Sequence, residues 1–266
     1  MQRFPFFTII TASLNNKASI KKTIESVKNQ SFQRLEHIII DGGSTDGTLN
    51  IIRQYENTYN LSWISEPDQG IADALNKALK ISRGRYVLVI HADDQLLTKN
   101  VLERVYPILR GEKADIYSFP IFLDHKQKGG ILKKPIRMLW WNHFKLIFLH
   151  QGCFVHKRLF KKIGDFDCSY KIAMDYDLFY RALLHGAKVK FLDFPIAIMG
   201  GKGISTIEDS IPNRLSEERR VQLSNEINMI WRILQIAFRS LYKPYKLFLA
   251  QNRFQLYLTI LVIAKL

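Results

Sequence analysis

Three carboxylates stand where apolar runs end, and their placement suggests ligand chemistry. The stretch HIIIDGGSTDGT, residues 37–48, sets Asp41 directly after Ile38, Ile39 and Ile40. An unbroken β-branched run suits a parallel strand covered on both faces. A carboxylate where such a strand leaves an open α/β sheet lies at the edge that binds ligands. Asp93 and Asp94 close a second apolar run, RYVLVIHADD. Two adjacent carboxylates at such an edge suit a hard divalent cation, because Mg²⁺ takes one or two carboxylates and completes its shell with ligand oxygens and water. A structural reading stands beside each motif. Ser44, Thr45 or Asp46 can cap the helix after Asp41, and Asp93 or Asp94 the helix after HADD. Capping does not explain Asp41 itself, and it weakens when both acidic clusters emerge at one edge of one sheet.

The elements that must hold these groups alternate. Strands are predicted over residues 4–12, 36–41, 61–65 and 85–91, and helices over 17–29, 46–57 and 70–81, with one more in LLTKNVLERVYPIL. Short connections between alternating strands and helices predict a doubly wound, largely parallel α/β sheet. Beyond about residue 115 strands become scarcer and aromatic residues denser. No GxxxxGK[ST] is present, and TASLNN after the first strand lacks GxGxxG. A P-loop and a dinucleotide-binding Rossmann domain are therefore disfavoured.

The 266 residues suffice for one large domain or a domain with an appendage. Cys153 and Cys168 form no CxxC pair, so neither a disulfide framework nor a zinc site is expected, and a reducing compartment is. The N-terminus lacks a signal-peptide layout and reads as the first strand. The net charge of +15 is concentrated: residues 125–164 hold 10 basic and no acidic side chains, and residues 227–266 hold 6 and none. Both segments are rich in aromatics, which suits an anionic surface. Interfacial helices mix basic anchors with Trp, Phe and Leu in this way; a core-packing helix pair or an oligomer interface is the alternative. No nucleic-acid motif accompanies the charge. The longest charge-free run of the tail, Phe254 to Ala264, is too short to span a bilayer.

Taken in order, TIITASLNN, IIIDGGSTDGT, SEPDQGIADALNKAL, YVLVIHADD, HQGCFVHKRLFKKIGDFD, KIAMDYDLFYRAL and MGGKGIST resemble the family 2 glycosyltransferases of the GT-A fold. The resemblance runs from about Phe7 to Thr206. It implies a Rossmann-like, mostly parallel central sheet flanked by helices. The catalytic domain would span residues 1–206, with a nucleotide-sugar half (1–115) and an acceptor and catalytic half (116–206). Residues 207–266 would form a helical, membrane-associating extension.

By this resemblance Thr11, Ala12 and Ser13 line the nucleobase pocket, and Asp41 binds the uracil or ribose. Asp68 and Gly70 contact nucleoside and sugar; Asp73 and Asn76 follow on the next helix, where a capped or solvated face is the alternative. Asp93 is the principal ligand of Mg²⁺ or Mn²⁺, with Asp94 supporting it. His91 and Ala92 belong to the donor site, although His91 stands where the family often has Asp. The late histidine that helps bind metal in some GT-A enzymes has no match in MGGKGIST. Asp175 takes the position of the catalytic base, while Asp177 is given a structural role. His150, Gln151, Trp140 and Trp141 are placed on the acceptor side.

The implied enzyme is a glycosyltransferase that moves a sugar from a nucleotide-diphosphate donor, commonly a UDP-sugar, to a hydroxyl of a lipid-linked or saccharide acceptor. One base opposite the leaving group predicts single displacement with inversion. A cytoplasmic, peripheral position at the inner face of the cell membrane follows from the basic extension; nucleic acid is not expected as a partner, and a homo-oligomer is compatible. A non-catalytic nucleotide-sugar-binding subunit and a sugar-nucleotide pyrophosphorylase are the competing readings. The latter would need a Gly-rich, basic phosphate loop that TASLNN does not offer.

Overall fold

The computed structural model describes residues 4–111, 113–124, 130–201 and 210–263. The first half follows the predicted alternation: β1 (Phe7–Ser13), α1 (Ile20–Lys28), β2 (Leu35–Asp41), α2 (Thr48–Arg53), β3 (Leu61–Ser65), α3 (Ile71–Ile81) and β4 (Tyr86–Val89). All seven residues of β2 are buried. Ile38 and Ile40 enter one apolar cluster and Ile39 another, as the two-residue period of a strand requires. α1 buries Ile20, Ile24 and Val27, one stripe at helical spacing.

These strands pair in parallel, in the order β4-β1-β2-β3, within a seven-stranded sheet. From β1 the chain builds outward through β2 to β3, then returns to place β4 on the other side of β1. The crevice beyond the carboxyl ends of β1 and β4 is thus a topological switch point, where open α/β sheets bind ligands. Ser13 lies opposite Asp41, and Asp41 opposite Ser65. HADD leaves β4 at the same edge.

The second half departs from expectation. It is strand-rich: β6 (Ile116–Ser118), β7 (Ile121–Leu123), β8 (Ile131–Lys133), β9 (Cys153–His156), β10 (Val189–Phe191) and β11 (Ala197–Met199). Each has only three or four residues, too few for a readable period. β9 runs antiparallel between β4 and β6. A second sheet, β5-β11-β7-β8, is opened by β5 (Gln95–Leu96), which takes the start of the predicted LLTKNVLERVYPIL helix. That helix, α4, is shortened to Val101–Leu109. Two further helices, α5 (Lys157–Ile163) and α6 (Met174–Leu184), complete this second half.

The C-terminal helices are α7 (Ile211–Asn225) and α8 (Met229–Ile263). α8 docks on the short 3-10 turn Leu139–His143. Trp231 stacks on His143 with ring centroids 4.1 Å apart, and Phe238 meets Trp141 at 5.8 Å and Phe144 at 5.0 Å. The aromatic residues expected at an interface therefore divide. Trp231, Phe238 and Tyr242 face the protein. Ile230, Leu241 and Phe248 are 69%, 78% and 58% exposed, and with Leu234 they recur along one helical stripe. Among the described residues no helix is long and apolar enough to cross a membrane. Lys126, Lys128 and the KGIST part of MGGKGIST lie outside the described residues.

Candidate active site

The floor of the crevice is a pair of interlocked loops. Asn15, at φ 52°, donates its backbone N–H to Ser44 Oγ at 2.7 Å, and its side-chain Oδ1 accepts from the Thr45 N–H at 2.9 Å. The N–H groups of Asn16 and Lys17 reach Thr48 Oγ1 and Asp46 Oδ2, each at 2.9 Å. Asp41 organises this assembly. Its fully buried carboxylate accepts four hydrogen bonds: from the N–H of Gly43 (3.1 Å) and Ser44 (2.8 Å), and from the hydroxyls of Ser44 (2.5 Å) and Ser65 (2.9 Å). The strand delivers the carboxylate into the fold, where it anchors the loop.

The PDQG loop closes on the same floor. Asp68 accepts the Gly70 N–H at 2.9 Å and lies over Gly42, where a Cβ would come within 2.6 Å of Asp68 Oδ2. A side chain at 42 would require the Asp68 carboxylate to shift away. The Lys171 ammonium donates to the Gln69 carbonyl, tying this loop to the segment that precedes α6.

Several residues expected at the donor site have other partners. Thr11 is buried, donates to the Ile90 carbonyl at 2.6 Å and meets His37 Nε2 at 2.9 Å. Ala92 is buried beside Ile20 and Ile24 in the apolar cluster under the loop. Asn76 clamps the Phe166 backbone with both ends of its amide, at 2.8 and 2.9 Å. Asp73 accepts the Gln69 N–H at 3.1 Å and pairs with Lys77 at 3.3 Å. Ser13 is buried at the strand end and Ala12 is half-buried. Trp140 and Trp141, expected on the acceptor side, belong to the aromatic cluster that receives α8.

The two carboxylates of HADD differ. Asp94 is 2% exposed, and each of its oxygens accepts a backbone N–H, from His91 at 3.1 Å and from Gly200 at 2.9 Å. Asp94 thus clamps the turn and joins it to the end of β11, where a supporting metal ligand was expected. Burial pushes its carboxyl up to about 6. Asp93 is half-buried and has no hydrogen-bond or ion-pair partner among the described residues. A Cβ at Gly200 would collide with its carboxylate, so the β11 backbone closes over it.

His150 starts a 3-10 turn (His150–Gly152) and Asp175 lies in the first turn of α6. His150 Nδ1 stands 3.3 Å from Asp175 Oδ2, and the His150 and His91 rings meet edge to face at 5.0 Å. His91 is driven down to about 3 by burial and by its histidine neighbour, so it is neutral at physiological pH. Burial also opposes charge on His150, but the hydrogen bond to Asp175 and the fields of Asp175, Asp94 and Asp93 outweigh it and hold that imidazole above its ordinary value. Gln151 is buried beside it. Cys153, raised to about 12 by burial, is no nucleophile.

Asp177 is structural. Its buried carboxylate pairs with Arg181 at 2.7 Å and accepts from Asn225 at 3.0 Å. Sequence reasoning missed Glu217 on α7, whose carboxylate accepts the N–H groups of Lys171, Ile172 and Ala173 at 2.8–2.9 Å. It thereby holds the approach to α6 and Asp175. In SEERR it looks like a residue of a solvated helix face, and nothing local signals its partner.

The residues fit a divalent cation held jointly with phosphate. Among the described residues no group of three acidic, histidine or cysteine side chains is disposed to hold a metal alone. Among the described residues the Asp93 carboxylate has no partner, the Gly200 backbone cradles it, and the buried His150 Nε2 has no hydrogen-bond partner. Mg²⁺ sites completed by phosphate oxygens need no more than one or two protein donors.

This architecture, an acid-lined crevice at the switch point of a mostly parallel sheet, is that of the GT-A glycosyltransferases. Residues 8–178, more than half the chain, match the family model described as Glycosyl transferase family 2, and the chain belongs to that family. It is similar to the PGL/p-HBAD biosynthesis glycosyltransferase of Mycobacterium tuberculosis, with 27% identity over 89% of this chain and 94% of that protein. It is 37% identical to TuaG of Bacillus subtilis, a putative teichuronic acid biosynthesis glycosyltransferase, over 50% of this chain and 52% of that one. Among solved structures, S. aureus TarS in complex with UDP superposes with a TM-score of 0.66 at 21% identity, over 82% of this chain and 64% of the TarS chain. The Pyrobaculum calidifontis mannosyltransferase PcManGT, in complex with GDP-Man and Mn²⁺, gives a TM-score of 0.69 at 17% identity, over 94% and 74% of the two chains.

Proposed function

We propose that this glycosyltransferase moves a sugar, with inversion, from a UDP-sugar to a hydroxyl of a lipid-linked or saccharide acceptor in cell-surface polysaccharide synthesis, working at the inner face of the membrane. The carrying observation is Asp175: a partly exposed carboxylate at the start of α6, in contact with His150, whose ring packs against His91 of HADD. A sugar hydroxyl is a weak nucleophile and must lose its proton as it attacks. Asp175 accepts that proton. Backbone N–H groups and Lys171 organise the loops around the donor, and the buried Asp41 keeps them in place. Asp93 would hold the divalent cation, which when bound neutralises charge on the departing diphosphate. Complexes of the fold relatives with UDP and with GDP-Man and Mn²⁺ support a nucleotide-sugar donor and a metal.

The exposed stripe of α8 supports a membrane location. Apolar Ile230, Leu234, Leu241 and Phe248 face outward from a segment with six basic and no acidic residues. That combination matches an anionic lipid surface in both polarity and charge.

The test is a thermal-shift panel of UDP- and GDP-sugars with Mn²⁺, with Mg²⁺ and with EDTA, followed by an assay of nucleotide release. A ligand at 100 times its Kd stabilises by about 2.7 kcal/mol. The expected result is stabilisation by UDP-sugars that EDTA reduces. A protein that no nucleotide sugar stabilises, and that releases no nucleotide, contradicts the reading.

A further inference from the structure

Among the described residues His150 meets Asp175 through Nδ1 and packs against His91 of the HADD turn, and its second nitrogen has no partner there. The Asp175 carboxylate is fixed on one side by the Tyr176 N–H, which donates to Oδ1 at 2.8 Å, and meets His150 Nδ1 with Oδ2 at 3.3 Å. An ionised carboxylate only accepts, so Nδ1 carries the hydrogen in this pair. A metal ion binding at Nε2 would displace the proton there and take up its lone pair, while Nδ1 keeps its hydrogen for Asp175. The Nε2 atom is buried and has no hydrogen-bond partner among the described residues. Buried polar atoms are nearly always satisfied, and an orphan in a native fold calls for a missing partner.

The surroundings favour a cation as that partner. The fields of Asp175, Asp94 and Asp93 all favour positive charge at the ring. A histidine that ligates a metal commonly donates its other N–H to a carboxylate, which fixes the tautomer and raises the basicity of the ligating nitrogen. The Asp175–His150 pair has that form. Asp94 cannot easily serve instead, because both its oxygens hold backbone N–H groups.

We infer that His150 Nε2 is a protein ligand of the divalent cation, working with the Asp93 carboxylate, and that Asp175 orients it through Nδ1. The inference rests on the metal-dependent reading above and deepens it. It couples the two halves of the site: the cation that binds the diphosphate is held by the residue that positions the base. His150 would then belong to the donor side of the reaction centre as much as to the acceptor side.

Binding of Mn²⁺ to the full-length protein in the presence of UDP, followed by electron paramagnetic resonance of free Mn²⁺, tests this without activity. His150→Ala should raise the Mn²⁺ Kd at least tenfold. His150→Gln, which keeps a polar side chain of similar reach, serves where the alanine variant melts early. UDP affinity measured in EDTA should change less than twofold in either variant. Asp175→Asn should raise the Mn²⁺ Kd by a smaller factor, since the ring remains. If the wild-type protein binds no Mn²⁺ with UDP, the metal reading falls and this inference falls with it. If the wild type binds Mn²⁺ and the folded His150 variants bind it equally well, this inference alone is overturned. Equal loss of UDP affinity in Mn²⁺ and in EDTA also overturns it, because His150 would then be a phosphate donor.

Discussion

Asp177 gives its carboxylate to Arg181, one turn along α6, in a buried pair at 2.7 Å. Arg181 in turn donates to the carbonyls of Ile163 and Asp165, so the pair fixes the loop between α5 and α6. Its neighbour Asp175, two residues away, keeps a partly exposed carboxylate directed to His150. The helix thus separates two acids that look alike in MDYD.

Asp177→Asn should therefore destabilise the fold. Removing one partner of a buried pair costs about 3–5 kcal/mol, with Asn towards the lower end because it retains a hydrogen-bonding side chain. Chemical denaturation checks this, and an unchanged midpoint would show that the pair contributes nothing.

Asp41→Ala should lower the melting temperature as well as UDP affinity. The substitution strands the N–H groups of Gly43 and Ser44 and the hydroxyl of Ser65, at about 1–3 kcal/mol for each buried group left unpaired. Loss of UDP affinity with no change in melting would restore a direct contact with the nucleoside.

The contrast between these carboxylates shows what the sequence could and could not tell. Strand ends were legible because the β-branched run of β2 and the apolar run of β4 are long enough to define a period. So was the common edge of Asp41 and HADD. The direction of each side chain was not. Whether Asp41 turns into its own loop, or Asp94 into the Gly200 N–H, depends on contacts with residues 24 and 106 positions away. The short strands β6, β7, β8, β10 and β11 escaped for a related reason: they are stabilised by pairing with distant partners, so local propensity says little about them. Glu217 and Asn225, which hold the segment before Asp175 and the Asp177 carboxylate, carry no signal of their own.

Asp93→Ala should remove the strengthening of UDP binding by Mn²⁺ while leaving stability within about 0.5 kcal/mol, as for other substitutions without a broken partner. Calorimetry in Mn²⁺ and in EDTA measures the first, and thermal melting the second. Equal UDP affinity in the two buffers for the wild-type protein would remove the role of Asp93.

The two faces of α8 should separate by mutation. Ile230→Asp with Leu241→Asp should weaken binding to vesicles containing anionic lipid and leave the melting temperature unchanged. Phe238→Ala should do the reverse, because Phe238 packs on Trp141 and Phe144. Each basic residue near such a surface contributes about 1 kcal/mol, so added salt should weaken binding further. Vesicle sedimentation provides the readout, and indifference of the wild-type protein to anionic vesicles at low salt would return this face to an oligomer contact.

Turnover of Asp175→Asn, measured with donor and acceptor beside UDP affinity and melting temperature, tests the central claim most directly. Asn preserves the shape of the side chain but accepts no proton at neutral pH, and loss of a general base costs about 10²–10⁴ in rate. The account predicts a loss of that size, with fold retained and UDP affinity within about threefold of wild type, since one neutral, isosteric change to a group that does not contact the nucleotide removes little binding energy. Near-normal turnover in Asp175→Asn, or a collapse confined to Asp177→Asn, would contradict it.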